Sequence, residues 1–192
     1  MFALRHPLIL ASQSPRREQI LRMLGFEFKI KPADCDESLV PGIAVEDAAE
    51  GLAGIKAIKV SQENPGALVL GSDTLVEKEG RILGKPADAK EALEMLRFLR
   101  NGTHRVFTGV TLVLSGKISG SGVECSEVDF SSWDDADLQA YIRTGEPMDK
   151  AGAYAIQGRG AFLVRGIRGC FFNVMGLPVQ RTLALLKSHR IA

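Results

Sequence analysis

Cysteine is scarce in this chain. Cys35, Cys125 and Cys170 are odd in number, far apart, and form neither a CxxC pair nor a Cys/His cluster, which argues against a disulfide scaffold or a zinc site and suits a reducing compartment. His6, His104 and His189 show no ligand spacing either. Long apolar runs are missing: the stretch Leu8-Ile9-Leu10-Ala11 near the start is too short for a signal peptide or a membrane span, and nothing approaches ~18 apolar residues. Charge excess of either sign is missing too. The 24 Lys and Arg stand against 23 Asp and Glu, a net charge of +1, where a nucleic-acid coat or a membrane-surface protein carries a strong basic surplus. The GxxxxGK[ST] pattern of a Walker P-loop is absent, as are internal repeats, low-complexity tracts and dividing linkers. A cytoplasmic protein that binds neither nucleic acid nor membrane is expected.

An apolar fraction of 45% and a charged fraction of 24% in 192 residues fit one large domain, or one domain of two lobes, around a sizeable core. Leu8 to Ala11 reads as a short buried strand, and Ser14-Pro15 as the start of a helix that Gly25 stops. A strand over Phe26 to Ile30 and a helix over Val45 to Ser61 follow, the latter weakened by Gly51 and Gly54. Ala67 to Leu70 reads as a central strand that delivers Gly71-Ser72-Asp73-Thr74 at its carboxyl end. Beyond it the pattern gives a helix over Ala89 to Arg100. Strands Arg105 to Leu114 and Val123 to Phe130 are joined through the Ser/Gly-rich segment Ser115 to Gly122, and a helix spans Asp134 to Thr144. Strands over Ala161 to Ile167 and Phe171 to Met175 and a helix over Leu177 to His189 complete the chain. The alternation is irregular, so the fold class is α/β with a mixed central sheet and flanking helices.

Four segments carry chemistry. Ser12-Gln13-Ser14-Pro15-Arg16-Arg17 lies between a strand and a helix start, where unpaired N–H groups, hydroxyls and guanidinium groups match phosphate oxygens. The same residues read equally as a capped surface helix with solvated arginines. Asp73 can hold Mg²⁺ or act as a general base, or simply cap a turn. Lys85 in Gly84-Lys85-Pro86 reads as a phosphate contact or an ordinary loop lysine. In Asp149 to Gly158, small residues allow close approach to a ligand, Lys150 brings charge, and Gln157 brings an amide able to read a base edge; a plain small-residue turn is the alternative. Asp34, Asp36 and Glu37 form an acidic loop that could offer a metal ligand.

Taken together and in order, these segments resemble the Maf family of nucleotide pyrophosphatases. The resemblance runs through Leu10 to Arg17, Asp36-Glu37-Ser38, Leu52 to Ala57, Gly71 to Thr74, Gly84-Lys85-Pro86, Thr103-His104 and Thr108. It continues through Asp149 to Tyr154, Gln157-Gly158 and Asn173 to Pro178. It covers nearly the whole chain and implies a single Maf-like domain over residues 1–192. It implies a mixed-sheet α/β fold with two lobes around a deep cleft, similar to the inosine-triphosphate pyrophosphatases, and metal-dependent hydrolysis between the α- and β-phosphates. Carried over, Asp73 is the catalytic proton acceptor. Ser12, Arg16, Arg17, Lys56 and Lys85 bind phosphates, Asp73 and Glu37 hold Mg²⁺ or Mn²⁺, and the substrate is a nucleoside triphosphate, with a homodimer left open. Arg16, Thr74 and Gln157 match the branch that prefers dTTP and UTP. The alternatives are the 7-methyl-GTP branch and a nucleotide-binding regulator of cell division and septum formation. Cys170-Phe171 stands where family members often have Ser-Tyr.

Overall fold

The computed structural model describes residues 3–36 and 42–191. Its strands are β1 Leu8–Leu10, β2 Phe28–Ile30, β3 Leu68–Lys78, β4 Arg81–Leu83, β5 Thr103–Leu114, β6 Lys117–Phe130 and β7 Val164–Arg168. Its helices are α1 Pro15–Met23, α2 Val45–Gln62, α3 Ala89–Leu99, α4 Asp135–Ile142, α5 Phe171–Met175 and α6 Val179–Leu186, with short 3-10 turns between them. The sheet order is β2-β1-β3-β5-β6-β7, with β4 beside β3. Pairs β1–β2 and β1–β3 are parallel, and β3–β4 and β6–β7 antiparallel, so the sheet is mixed, as the irregular alternation implied.

The chain divides into two compact units. One comprises Met1–Asp73, Thr108–Glu124 and Gly176–Ala192, the other Thr74–Phe107 and Cys125–Met175. Strands β3, β5 and β6 each contribute to both. In the first unit α2 lies against β3 and β5 on a row of alanines. A Cβ added at Gly71 would stand 2.1 Å from the Ala53 carbonyl oxygen, and one at Gly109 would stand 2.1 Å from that of Ala49. Ala49, Ala53 and Ala57 are fully buried and recur every fourth residue, one face of a helix. Glycine on the strands and alanine on the helix therefore set the helix–sheet spacing. Gly51 and Gly54 do not break α2, because packing overrides their low propensity. Ile9, Ala11, Ala57, Val60, Val69 and Val113 fill the space beside it.

The second unit has its own core, in which Val76, Leu83, Leu96, Leu99, Phe130 and Leu138 pack together. Asp88 caps α3 by accepting from Glu91 N–H at 2.8 Å, and Asp134 caps α4 by accepting from the N–H groups of Ala136 and Asp137, both short acidic residues at helix N-caps.

Several elements differ from the sequence reading. β3 runs on through Gly71-Ser72-Asp73-Thr74 to Lys78, so Asp73 lies within a strand and not beyond its end. The strand expected over Phe171 to Met175 is the helix α5. A five-residue run with four apolar side chains carries no reliable periodicity, and Asn173 decides it: its Nδ2 donates to the Val106 carbonyl and to Ser126 Oγ, both at 2.9 Å. β6 starts at Lys117, because Ser115 and Gly116 take φ of 50° and 74° and close the hairpin in two residues, a tighter turn than the Ser/Gly-rich segment suggested. The strand expected over Ala161 to Ile167 begins at Val164 as β7, because the residues before it belong to a 3-10 turn over Gly158–Leu163. Ser14 precedes α1 without capping it through its side chain; its N–H donates instead to Ser12 Oγ at 3.2 Å.

Candidate active site

Asp73 and Lys56 meet in the first unit. The close approach of α2 to β3 places Lys56, one turn beyond Ala53, against the strand. Its Nζ donates to Asp73 Oδ1 at 2.5 Å, and each residue is only 7% exposed. A cation and a carboxylate removed together from water need each other. Gly71 and Asp73 point towards α2, since successive side chains on a strand alternate.

Ser72 therefore points the other way, and its Oγ donates to the Gly176 carbonyl at 3.0 Å. That carbonyl also accepts from Arg17 Nε at 2.8 Å, while Arg17 Nη1 donates to Ser12 Oγ at 2.9 Å. Ser12 is buried. The Arg17 fork thus fastens the turn after β1 to the segment before α6. These bonds fall to backbone and hydroxyl partners, so Arg17 shapes the turn as well as charging it. Arg16 stands beside it in the first turn of α1, half-buried.

Thr74 follows Asp73 on β3. Lys85 and Gln157 belong to the second unit, where Gly152 N–H donates to the Gly84 carbonyl at 3.0 Å, so the Gly84-Lys85-Pro86 loop is bonded to the loop bearing Gln157. Gly152 has φ of +69°, and a Cβ there would press on Val76 at 3.1 Å; only glycine fits. Lys85 is exposed and Gln157 half-buried. Lys150 turns to its own loop, donating to the Glu146 carbonyl at 3.1 Å and pairing with Asp149. Glu37 lies outside the described residues.

Sequence reasoning quoted Ser72 and Gly176 within its motifs without giving them a role, and passed over Glu146. Their bonds reach partners 104, 159 and 13 to 14 residues away, and no local spacing announces them. Glu146 accepts from Arg159 N–H at 3.0 Å, Gly160 N–H at 2.8 Å and the Tyr141 hydroxyl at 3.0 Å. Partial burial pushes its carboxyl up, but these donors and the Lys150 charge outweigh that and hold it below the usual value.

Among the described residues no three His, Cys, Asp or Glu side chains gather as a ready-made metal cage. Asp73 is a single hard oxygen donor whose Oδ1 already meets Lys56. That donor chemistry fits a cation of the Mg²⁺ type, which takes one or two carboxylates and completes its shell with substrate phosphates and water. No helix among the described residues is long and apolar enough to cross a membrane.

An α/β protein with an anion-ready strand–turn–helix and an acidic residue paired on the central strand has the parts of a phosphate-ester or anhydride enzyme. Comparison with known proteins narrows that class. The family described as "Maf-like protein" matches residues 7–189, and the chain belongs to it. A protein named dTTP/UTP pyrophosphatase from Halalkalibacterium halodurans is 44% identical over 95% of this chain and 96% of its own length. One of the same name from Pelotomaculum thermopropionicum is 45% identical over 94% and 95%, and another from Moorella thermoacetica is 48% identical over 93% of each. A solved nucleoside-triphosphatase/dITP/XTP pyrophosphatase from Mycobacterium abscessus aligns with a TM-score of 0.43 and 13% identity over 93% of this chain and 92% of its own, a distance at which the likeness carries no inference.

Proposed function

We propose that this protein hydrolyses dTTP and UTP to the nucleoside monophosphate and pyrophosphate, acting on the soluble nucleotide pool of the cytoplasm. The observation that carries the reading is the buried Asp73–Lys56 pair on β3, in a chain that matches proteins named dTTP/UTP pyrophosphatase over almost its full length. A triphosphate brings about four negative charges, so catalysis is mostly positioning and charge neutralisation. The N-terminus of α1 with Ser12 and Arg16, together with Lys56 and Lys85, supplies positive ends and donors for the phosphate oxygens. Arg17 holds the turn in shape and adds its charge. Asp73 accepts a proton from water as the water oxygen bonds to the α-phosphorus. The bond from that phosphorus to the bridging oxygen breaks, and pyrophosphate leaves with the electron pair. Asp73 and Glu37 would hold a divalent cation, which would supply further neutralisation of the leaving group. Loss of one such charged contact costs ~3 kcal/mol, or roughly 10²-fold in rate.

Base choice falls to Gln157, with Thr74 and Arg16. A pyrimidine-dione edge shows two carbonyl oxygens around one N–H, and an amide complements it with both donor and acceptor. A wrong base leaves polar groups unpaired, which discriminates strongly. The test is kcat/KM for dTTP, UTP, CTP, GTP and 7-methyl-GTP with a pyrophosphate readout. dTTP and UTP are expected to lead. A lead for 7-methyl-GTP overturns the base assignment, and absence of pyrophosphate with every nucleotide overturns the enzyme. An unchanged ranking in Gln157→Glu removes the role of that side chain.

A further inference from the structure

Glu146 lies in neither the phosphate turn nor the Asp73 pair, yet one carboxylate gathers much of the loop that bears Gln157. Its Oε2 accepts from Arg159 N–H at 3.0 Å and its Oε1 from Gly160 N–H at 2.8 Å. Oε1 also accepts from the Tyr141 hydroxyl at 3.0 Å, and that hydroxyl accepts in turn from Ala155 N–H at 3.1 Å. The backbone is thus held two residues before Gln157 and two and three residues after it. The intervening glycines are shaped to this carboxylate. Gly158 has φ of +71°, and a Cβ there would stand 2.7 Å from Glu146 Oε2; a Cβ at Gly160 would stand 2.6 Å from the Tyr141 hydroxyl. Gly145, with φ of +75°, turns the chain out of α4 so that Glu146 faces the loop.

We infer that Glu146 is a positioning residue that sets base selectivity by fixing the backbone on both sides of Gln157. This rests on the reading of Gln157 as the base-recognising amide. Both carboxylate oxygens act as acceptors, so Glu146→Gln is isosteric but turns an NH₂ group towards an N–H donor, and one of the two anchors is lost. A loosely held amide still meets a base but no longer tells one edge from another. Cytosine is the sharpest probe, because it presents an amino group where thymine presents a carbonyl.

The experiment is a double-mutant cycle on the ratio of kcat/KM for dTTP to that for CTP, in wild type, E146Q, Q157A and E146Q/Q157A. The ratio is expected to fall at least ~10-fold in E146Q, chiefly through a higher KM for dTTP, with kcat within about threefold of wild type. Added to Q157A, E146Q is expected to change the ratio by less than about twofold. Backbone amides of Arg159 and Gly160 are expected to exchange faster in E146Q, an effect independent of turnover. Loss of selectivity in Q157A with full selectivity in E146Q overturns the inference and leaves the Gln157 reading standing. An E146Q effect undiminished in the Q157A background also overturns it, since Glu146 then acts elsewhere. Full selectivity in Q157A overturns both. If E146Q does not fold, Tyr141→Phe, which removes one link of the same chain, decides by the same cycle.

Discussion

Acidification provides a direct measure of how the second unit holds its interior together. His104 is 2% exposed. Its Nε2 lies 2.8 Å from the Tyr154 hydroxyl, and its ring stands edge-on to Phe130 at 4.8 Å. Burial first, and the Lys78 charge second, push its pKa from 6.5 down to about 3. The imidazole is therefore neutral in the folded protein, while the unfolded chain takes up a proton near 6.5. Between those values the unfolded state binds more protons, so stability is complete above 6.5 and is lost as pH falls towards 3. From pH 7 to pH 5 the loss from this one group comes to about 2 kcal/mol. Glu77, Glu146 and Asp135 have carboxyl values below their ordinary ones, so their share is lost only at lower pH. His189 is shifted in the same direction as His104 but cancels in a comparison of variants. Urea unfolding at pH 7, 6 and 5 is the assay, on wild type and on His104→Gln, which keeps a polar partner for Tyr154 but does not titrate. Wild type should lose about 2 kcal/mol more than the variant over this range. Parallel pH curves would show that His104 is not held neutral, and would refute the reasoning.

Three further outcomes follow. Asp73→Asn should lower turnover at least ~10²-fold and lower stability, because the buried Lys56 ammonium then faces a neutral amide in place of a carboxylate; near-wild-type pyrophosphate release from the folded variant removes Asp73 from the chemistry. Gly71→Ala should destabilise the protein by about 3 kcal/mol, because the new Cβ meets the Ala53 carbonyl oxygen at 2.1 Å and backbone cannot step aside as a side chain can; an unfolding midpoint like that of wild type refutes the packing account. Exhaustive chelation should abolish turnover, and Mg²⁺ or Mn²⁺ should restore it; full activity in chelator excludes a metal requirement.

The sequence made the fold class and most helices legible because their signals are local. Pro15 and Gly25 bracket α1, and α3 shows an apolar face through Ala92, Met95, Leu96 and Leu99. What lies between distant segments was not legible. Gly71-Ser72-Asp73-Thr74 looks like a turn, but in the structure it is strand: Gly71 is there for the close approach of α2, a reason visible only with Ala53 beside it. Phe171 to Met175 looks extended, but it is the short helix α5, held by the buried Asn173. At the site, the order of the motifs brought Ser12, Arg17, Lys56 and Asp73 to notice, and the structure joins them in two groups, one through the Gly176 carbonyl and one through the ion pair. Glu146 gave no signal, since a Glu after a Gly is an ordinary surface pattern until its partners at 159 and 160 are known.

The Gly176 carbonyl has a consequence for how the protein is made. It accepts from Arg17 and Ser72, 159 and 104 residues earlier in the chain, so the turn between β1 and α1 is fastened by a residue made long after it. A nascent chain still short of residue 176 holds Arg17 and Ser72 without that acceptor. Contacts of such long sequence separation form late and slowly. Synthesis therefore withholds a finished turn until Gly176 has been made.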